Sequence, residues 1–268
     1  MTSEQPPHPS HSSASLHGTI YVWPDRWVVR GQLMANRPHR HVSASLLLGL
    51  DGAFELEVDG ERRQTNAALV APDARQALDP VGTRMLVMQL DPDSPAWRRL
   101  VTALHGRDTV DLPLAPGLTD ALASAADCQT MAAALERLLG ATTREEAPLD
   151  PRVARICAHL RDSLPERLDA GALAENAGIS VSRLTHLFRE QTGVPLRRFL
   201  LHLKITRAVA RWHPGMTLSA LAAEAGFYDQ PHLIRTAREM FDALPSIYIS
   251  AGQFDICRCA PHLQESLR

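Results

Sequence analysis

The sequence predicts a two-domain α+β protein: an N-terminal β-barrel with a helical segment after it, then an all-α domain with two helix-turn-helix motifs. Three observations predict it. Apolar and polar residues alternate with a period of two in stretches up to about residue 90, as in half-buried strands. Beyond residue 150 the spacing is helical, with breaks at Gly and Pro. A short Ala-rich stretch also occurs twice there, 48 residues apart, which indicates a duplicated helical unit.

Composition limits the class of protein. Hydrophobic residues are 45% and charged residues 22% of the 268, the profile of a soluble globular chain rather than a disordered one. No apolar run approaches the ~20 residues that span a bilayer, so no membrane association is expected. The N-terminus lacks the basic end and apolar stretch of a secretory signal, which makes the cytoplasm the expected compartment. Four cysteines are too few to predict a disulfide framework.

The first domain is expected to span residues 16–92, after a disordered tail of Ser, Pro and His over residues 1–15. Its strands are indicated by apolar runs and by the alternation of residues 54–58. Asp51-Gly52 and Asp59-Gly60 stand where tight hairpin turns are expected, because both dipeptides tolerate a positive φ. Several short strands at close spacing favour a small barrel or sandwich.

Residues 93–148 are expected to be helical, with Leu and Ala side chains on one face of each helix. This apolar surface exceeds what one small barrel needs, so the sequence predicts that the segment forms a homodimer. Residues 141–150 are polar, contain a proline and are interpreted as a linker.

The repeated stretches in the second domain are Ala172–Gly178 and Ala220–Gly226. Small alanines let two helices approach closely, and the glycine permits the sharp turn between them, which is typical of a helix-turn-helix. Each repeat is followed by a helix with an apolar stripe and a separate polar stripe. A polar stripe in this position can contact base edges in the major groove, although most such stripes are ordinary solvated surface.

Charge is distributed unevenly between the halves. Residues 1–149 hold 13 Arg and 18 acidic residues, whereas residues 150–250 hold 13 basic and 10 acidic residues. The basic half is the one expected to bind a polyanion.

Residues 152–250 resemble the AraC/XylS family of transcriptional regulators. The resemblance is carried by Leu173-Ala174 to Gly178-Ile179-Ser180, Leu184, Phe188-Arg189, Gly193, Arg207-Ala208, Leu221-Ala222, Gly226-Phe227, His232-Leu233-x-Arg235 and Pro245-Ser246-x-Tyr248. Three positions depart from the pattern. Ala237 replaces an aromatic residue, Asp242 replaces a glycine, and Ile249 replaces a basic or polar residue.

The resemblance implies a sequence-specific DNA-binding domain over residues 149–250, with double-stranded DNA as partner and RNA polymerase as a further partner if the protein is an activator. A helix from Leu196 to about Trp212 would join the two motifs. The implied base-reading residues are Ser182, Thr185, His186, Gln230, His232, Ile234 and Arg235. The implied phosphate contacts are Arg183, Arg189 and Arg238.

The N-terminal half resembles, less specifically, the cupin-like domain that senses a small-molecule effector. His39 and His41 match two ligands of a metal-binding cupin, but the expected carboxylate and third histidine are missing. Metal binding, ligand contact and a purely structural role all stay open for this pair. We expect neither metal nor cofactor, and an effector site formed by Trp23, Trp27, Met34, His39 and His41.

Residues 251–268 are expected to be a C-terminal tail. Cys257, Cys259 and His262 could bind a metal or sense redox state, but an exposed, reduced tail is the preferred interpretation.

No nucleophile, P-loop or dinucleotide motif occurs, so no catalytic residue is expected and the protein is not predicted to be an enzyme. Two alternatives are a metal-dependent cupin enzyme with an accessory helical domain and a chromatin-type architectural protein; a net charge of −2 opposes the second.

Overall fold

The fold was obtained as a computed structural model, which describes residues 16–140, 148–242 and 253–260. The predicted N-terminal tail, residues 141–147 of the linker, Pro245, Tyr248, Ile249 and His262 lie outside the described residues. The strands are β1 His17–Trp23, β2 Arg26–Gln32, β3 His39–Arg40, β4 Ala44–Gly49, β5 Phe54–Val58, β6 Glu61–Thr65, β7 Ala67–Val70, β8 Arg75–Asp79, β9 Met85–Leu90, β10 Thr109–Asp111 and β11 Phe254–Arg258. The helices are α1 Pro95–Leu100, α2 Leu118–Ser124, α3 Cys128–Gly140, α4 Pro151–Ser163, α5 Ala170–Asn176, α6 Val181–Thr192, α7 Leu196–Arg211, α8 Leu218–Glu224 and α9 Gln230–Phe241, with a 3₁₀ turn at Val101–Leu104.

The strands form two sheets, which pack face to face over a core that includes Phe54, Leu56 and Met85. The larger sheet has the order β10-β7-β4-β9-β2-β1-β11 and the smaller one β3-β8-β5-β6. Asp59-Gly60 joins β5 to β6 with φ of 49° and 91°, as a two-residue hairpin requires. Asp51-Gly52 does not make a hairpin, because β4 and β5 belong to different sheets.

Helices α1 to α3 cover the outer face of the larger sheet. Leu118, Leu122, Met131 and Leu135 are buried there against strand residues. Arg30 of β2 fixes α2 by donating hydrogen bonds to carbonyls at its C-terminal end, at 2.5 Å for that of Ala125. Within the described part of residues 93–148, the apolar surface from which we predicted a homodimer is therefore buried against the sheet of the same chain. The prediction that residues 93–148 are helical was also wrong for β10, which pairs with β7 at the edge of the larger sheet.

The second domain contains α4 to α9 around its own apolar core, in which Phe188 and Phe199 pack edge to face at 5.4 Å between ring centroids. Every helix of this domain except α7 starts with a side-chain cap, such as Asp150 before Pro151 and Ser180 before α6. Helix α7 joins the two halves of this domain over 16 residues, close to the predicted span.

The described part of the C-terminal tail, residues 253–260, returns to the first domain. Strand β11 pairs in parallel with β1 and forms the edge of the larger sheet. Cys259 forms a disulfide with Cys128 at the start of α3, 131 residues earlier. The prediction of an exposed, reduced tail is therefore wrong for this part. Arg258 also donates a 2.7 Å hydrogen bond to the carbonyl of Ala210, so β11 contacts the end of α7.

Candidate functional site

Two helix-turn-helix units, α5–α6 and α8–α9, have matching local geometry. Each turn contains a glycine with positive φ, 64° at Gly178 and 76° at Gly226, where a side chain would be strained. The second helix of each unit ends at a left-handed residue, Gly193 with φ 78° or Asp242 with φ 48°. Asp242 thus takes the conformation of the glycine that it replaces. The internal repeat is therefore a structural repeat as well.

The polar faces of α6 and α9 point away from the protein. All five residues singled out on α6 are exposed: Ser182, Arg183, Thr185, His186 and Arg189. On α9, Arg235 and Arg238 are exposed, whereas Gln230, His232 and Ile234 are half-buried. The surface that they form offers hydrogen-bond donors, acceptors and positive charge, the groups that recognise base edges and phosphates.

Two of the half-buried residues on α9 also make internal contacts. The Gln230 side-chain oxygen accepts a 2.9 Å hydrogen bond from Ser219 of α8, which leaves its amide donors for a ligand. The His232 ring packs edge to face on Phe227 at 5.2 Å. Burial, followed by the nearby charges of Lys204 and Arg235, lowers the pKa of His232. We therefore expect His232 to be neutral near pH 7.

Sequence reasoning missed two exposed apolar side chains on this surface. Val181 is the first residue of α6 and is 45% exposed; Tyr228, two residues before α9, is 74% exposed. Both residues lie where the second helix of a helix-turn-helix unit begins, next to the polar faces described above. Their position two or three residues after each turn glycine was the available signal.

An apolar cavity of about 180 Å³ lies between the sandwich and the helix-turn-helix domain. Its sandwich side includes Trp27, Met34, His39 and His41, four of the five residues expected to form an effector site. Its helical side comes from α7, α8 and α9 and includes Ala208, Trp212, Leu221, Leu233, Ala237 and Phe241. These helical residues were not predicted to form a site, although the small Ala237 in place of an aromatic was the clue. The cavity extends to the position that this substitution leaves empty.

Trp23 was wrongly assigned to this site. Successive side chains of a strand point to opposite faces, and β1 directs Ile20 toward the cavity. Trp23 lies on the other face together with Tyr21, and the two rings stack with their centroids 6.2 Å apart.

His39 and His41 contact each other directly. Their Nε2 atoms are 2.6 Å apart, and His39 Nδ1 is 2.8 Å from the carbonyl of Arg37. Burial lowers the pKa of His39; burial, with the charges of His39, His202 and Arg198, holds the pKa of His41 well below its usual range. Both rings are therefore neutral near pH 7. Among the residues that the structure describes, no cluster of three or more His, Cys, Asp or Glu side chains is arranged to hold a metal ion.

The two domains are joined by a buried ionic cluster beside the cavity. Asp91, at the end of β9, is 2.7 Å from Arg161 of α4 and 2.6 Å from Nε2 of His202 on α7. Arg161 also pairs with Asp93. Burial would raise the pKa of Asp91, but the positive charge of Arg161 and the hydrogen bonds outweigh it and lower the pKa to about 2. Sequence reasoning did not find this cluster, since its members come from distant parts of the chain.

A sandwich packed on paired helix-turn-helix units around a shared cavity defines a two-domain helix-turn-helix protein. Residues 173–251 match the family model described as a helix-turn-helix domain. The arabinose operon regulatory proteins of Escherichia coli (strain K12) and Salmonella typhimurium (strain LT2) are each 30% identical over 101 residues, 37% of this chain. Over this domain the chain is thus similar to these operon regulators, in the region where its motifs resemble the AraC/XylS family. The matched stretch spans about a third of the length of those relatives, 35% and 36%.

Solved structures with the same arrangement of both domains include ToxT from Vibrio cholerae. One such structure has a TM-score of 0.59 at 9% identity and covers 84% of this chain and 98% of its own. Another, bound to an unsaturated fatty acid, has a TM-score of 0.59 at 11% identity and covers 85% of this chain and 95% of its own. At 9–11% identity, the structural similarity to ToxT establishes the fold alone. That fold is the two-domain α+β class predicted from the sequence. Within the described residues, no helix is long and apolar enough to cross a membrane.

Proposed function

We propose that the protein is a transcriptional regulator that binds specific double-stranded DNA through α6 and α9. The observation that carries the proposal is the pair of structurally matched helix-turn-helix units, each with an exposed polar face on its second helix. The matched relatives are named as operon regulatory proteins, and this supports the same role.

The contacts divide by chemistry. Ser182, Thr185 and His186 would read bases in one major-groove segment, and Gln230, His232, Ile234 and Arg235 in the next. Arg183, Arg189 and Arg238 would bind phosphates, which adds affinity that falls as salt rises. Helix α7 has 16 residues and so spans about 24 Å. The two segments lie about 34 Å apart on straight DNA, so modest bending would bring both within reach.

We further propose that a small-molecule effector occupies the cavity between the domains. Helix α9 supplies part of the cavity wall through Leu233, Ala237 and Phe241, and its opposite face carries Arg235. A ligand that favours one packing of α9 against the sandwich therefore shifts the population that is competent for DNA. A ToxT structure with a bound fatty acid is a precedent for a ligand in this fold.

Partners other than DNA and the effector are proposed from the regulator role alone. A homodimer on paired half-sites stays a proposal, as does contact with RNA polymerase if the protein is an activator. DNA binding makes the cytoplasm the expected compartment. The Cys128–Cys259 disulfide would then need an oxidant to form, because cytosolic thiols are ordinarily kept reduced. Enzymatic activity is not proposed, because His39 and His41 pair with each other and lack the remaining cupin ligands.

Selection of duplexes from a random pool by the full-length protein tests the function. We expect an enriched sequence for the wild type, and its loss in a variant that combines Thr185→Ala with Arg235→Ala. The double change of Arg62 and Arg75 to Ala, on exposed strand positions of the sandwich, is the control and should leave the enriched sequence unchanged. A folded wild type that enriches no sequence would refute the proposal.

A further inference from the structure

We infer that the cavity between the domains binds a small uncharged molecule with one aromatic or alicyclic ring and a hydroxyl or carbonyl oxygen. The inference deepens the effector role proposed above and rests on it. Four observations carry it: the absence of ionic groups in the lining, unpartnered polar nitrogens, the size of the cavity and the substitution at Ala237.

The lining of the cavity carries no formal charge. None of its described lining residues is Asp, Glu, Lys or Arg, and its two histidines are neutral as argued above. An ion moved into such a site loses its hydration without a compensating partner, which is strongly unfavourable. The lining therefore disfavours a carboxylate or an ammonium group.

Three lining side chains carry a buried polar nitrogen without a hydrogen-bond partner: Trp27 Nε1, His41 Nδ1 and Gln89 Nε2. The oxygen of Gln89 is already engaged, since it accepts hydrogen bonds from Ser43 at 2.5 Å and from Ser45 at 3.3 Å. Unsatisfied buried groups are rare in folded proteins because a buried donor or acceptor without a partner destabilises the fold. A ligand that satisfies them removes this destabilisation on binding.

The roles of these nitrogens follow from their neighbours. Trp27 Nε1 and Gln89 Nε2 can only donate. His39 donates from Nδ1 to the carbonyl of Arg37, so its Nε2 must accept a hydrogen bond from His41 Nε2. His41 Nδ1 is then an acceptor. A carbonyl oxygen would satisfy the donors, and a hydroxyl would satisfy a donor and His41 together.

The cavity is small. At about 180 Å³ it is slightly larger than the engineered cavity of about 150 Å³ that holds benzene. One ring with a short substituent fits this volume. Ala237 contributes to the space: at the corresponding position of the first unit, Phe188 fills the interior. The replacement of an aromatic side chain thus provides room for a ligand ring in the second unit.

Binding of three matched probes to the full-length protein tests the inference. The probes are 4-ethylphenol, ethylbenzene, which lacks the oxygen, and 4-ethylbenzoate, which is an anion. Calorimetry and quenching of tryptophan fluorescence give the affinities. We expect one molecule of 4-ethylphenol per chain, bound at least about tenfold more tightly than either other probe.

Two variants locate the site. Gln89→Met keeps the side-chain length but removes the donor, along with the acceptor of Ser43 and Ser45, and should weaken 4-ethylphenol about tenfold without affecting ethylbenzene. Gln64→Met makes the same change at an exposed position and should affect neither. Ala237→Phe should abolish binding of every probe by filling the cavity. If that variant does not fold, Gln89→Met still decides the question.

Preference for 4-ethylbenzoate, binding unaffected by both cavity variants, or no binding of 4-ethylphenol at millimolar concentration would each overturn the inference. None of these results depends on DNA. The selection of duplexes by the same preparations is therefore a separate test of the regulator role.

Discussion

The Asp91→Asn substitution should destabilise the protein strongly, because Asp91 is the central group of the buried cluster that joins the domains. Its side chain is completely buried, and its partners Arg161 and His202 belong to the other domain. Removing one charge of a buried pair leaves the other uncompensated, which costs about 3–5 kcal/mol in general. The asparagine retains hydrogen-bonding capacity and Arg161 keeps its pairing with Asp93, so we expect the lower end, about 3 kcal/mol.

The pKa of Asp91 gives an independent magnitude. Lowering a carboxyl pKa from 3.8 to about 2 corresponds to about 2 kcal/mol of stabilisation of the folded state. Because the pKa is lowered in the folded state, this contribution is complete above about pH 4 and is lost as the pH falls through 2. The difference in stability between wild type and variant should therefore shrink over that interval.

Asp51→Asn is the matched control. A hydrogen bond from Arg84 lowers the pKa of Asp51 to about 2 as well, but the two side chains are 42% and 45% exposed. Exposed pairs contribute ~0–1 kcal/mol because solvent screens them. Urea denaturation, followed by circular dichroism at pH 7, should give a large loss for Asp91→Asn and less than about 1 kcal/mol for Asp51→Asn. Equal losses for the two variants would refute the reasoning.

Three more predictions concern the DNA surface, the disulfide and the second turn. Arg235→Ala should cost about 1–3 kcal/mol at one base position, whereas Arg189→Ala should weaken all sequences alike and reduce the salt dependence; indistinguishable specificity profiles would contradict these roles. Cys128→Ser should lower the stability of the oxidised protein by about 2–4 kcal/mol by opening the loop closed with Cys259, and should have no effect in excess thiol; a loss that persists in thiol would assign the effect to packing. Gly226→Ala should cost about 1–2 kcal/mol in urea denaturation because its φ is 76°; an unchanged midpoint would mean that the turn relaxes freely.

Local sequence signals predicted much of the fold and the DNA-facing surface. The Asp59-Gly60 hairpin was predicted because the two residues and the flanking alternation suffice to specify it. Asp51-Gly52 carries the same signal, yet the chain there passes from one sheet to the other, which depends on packing and not on the dipeptide. The exposed residues of α6 were found because the helical period separates them from Leu184 and Phe188.

Features that join distant segments could not be found in this way. The pairing of β11 with β1, the Cys128–Cys259 disulfide and the Asp91 cluster each connect parts of the chain with no local pattern in common. The cavity is an intermediate case. Its sandwich half was largely anticipated, but its helical half was signalled only by Ala237 in the place of a larger residue.

The central claim is that two helix-turn-helix units read two successive major-groove segments of one DNA site. Hydroxyl-radical footprinting of the full-length protein on its selected duplex tests this claim directly. We expect two protected blocks about 10 base pairs apart, with Thr185→Ala weakening one block and Arg235→Ala weakening the other. A single protected block, or blocks that both variants weaken equally, would contradict the account.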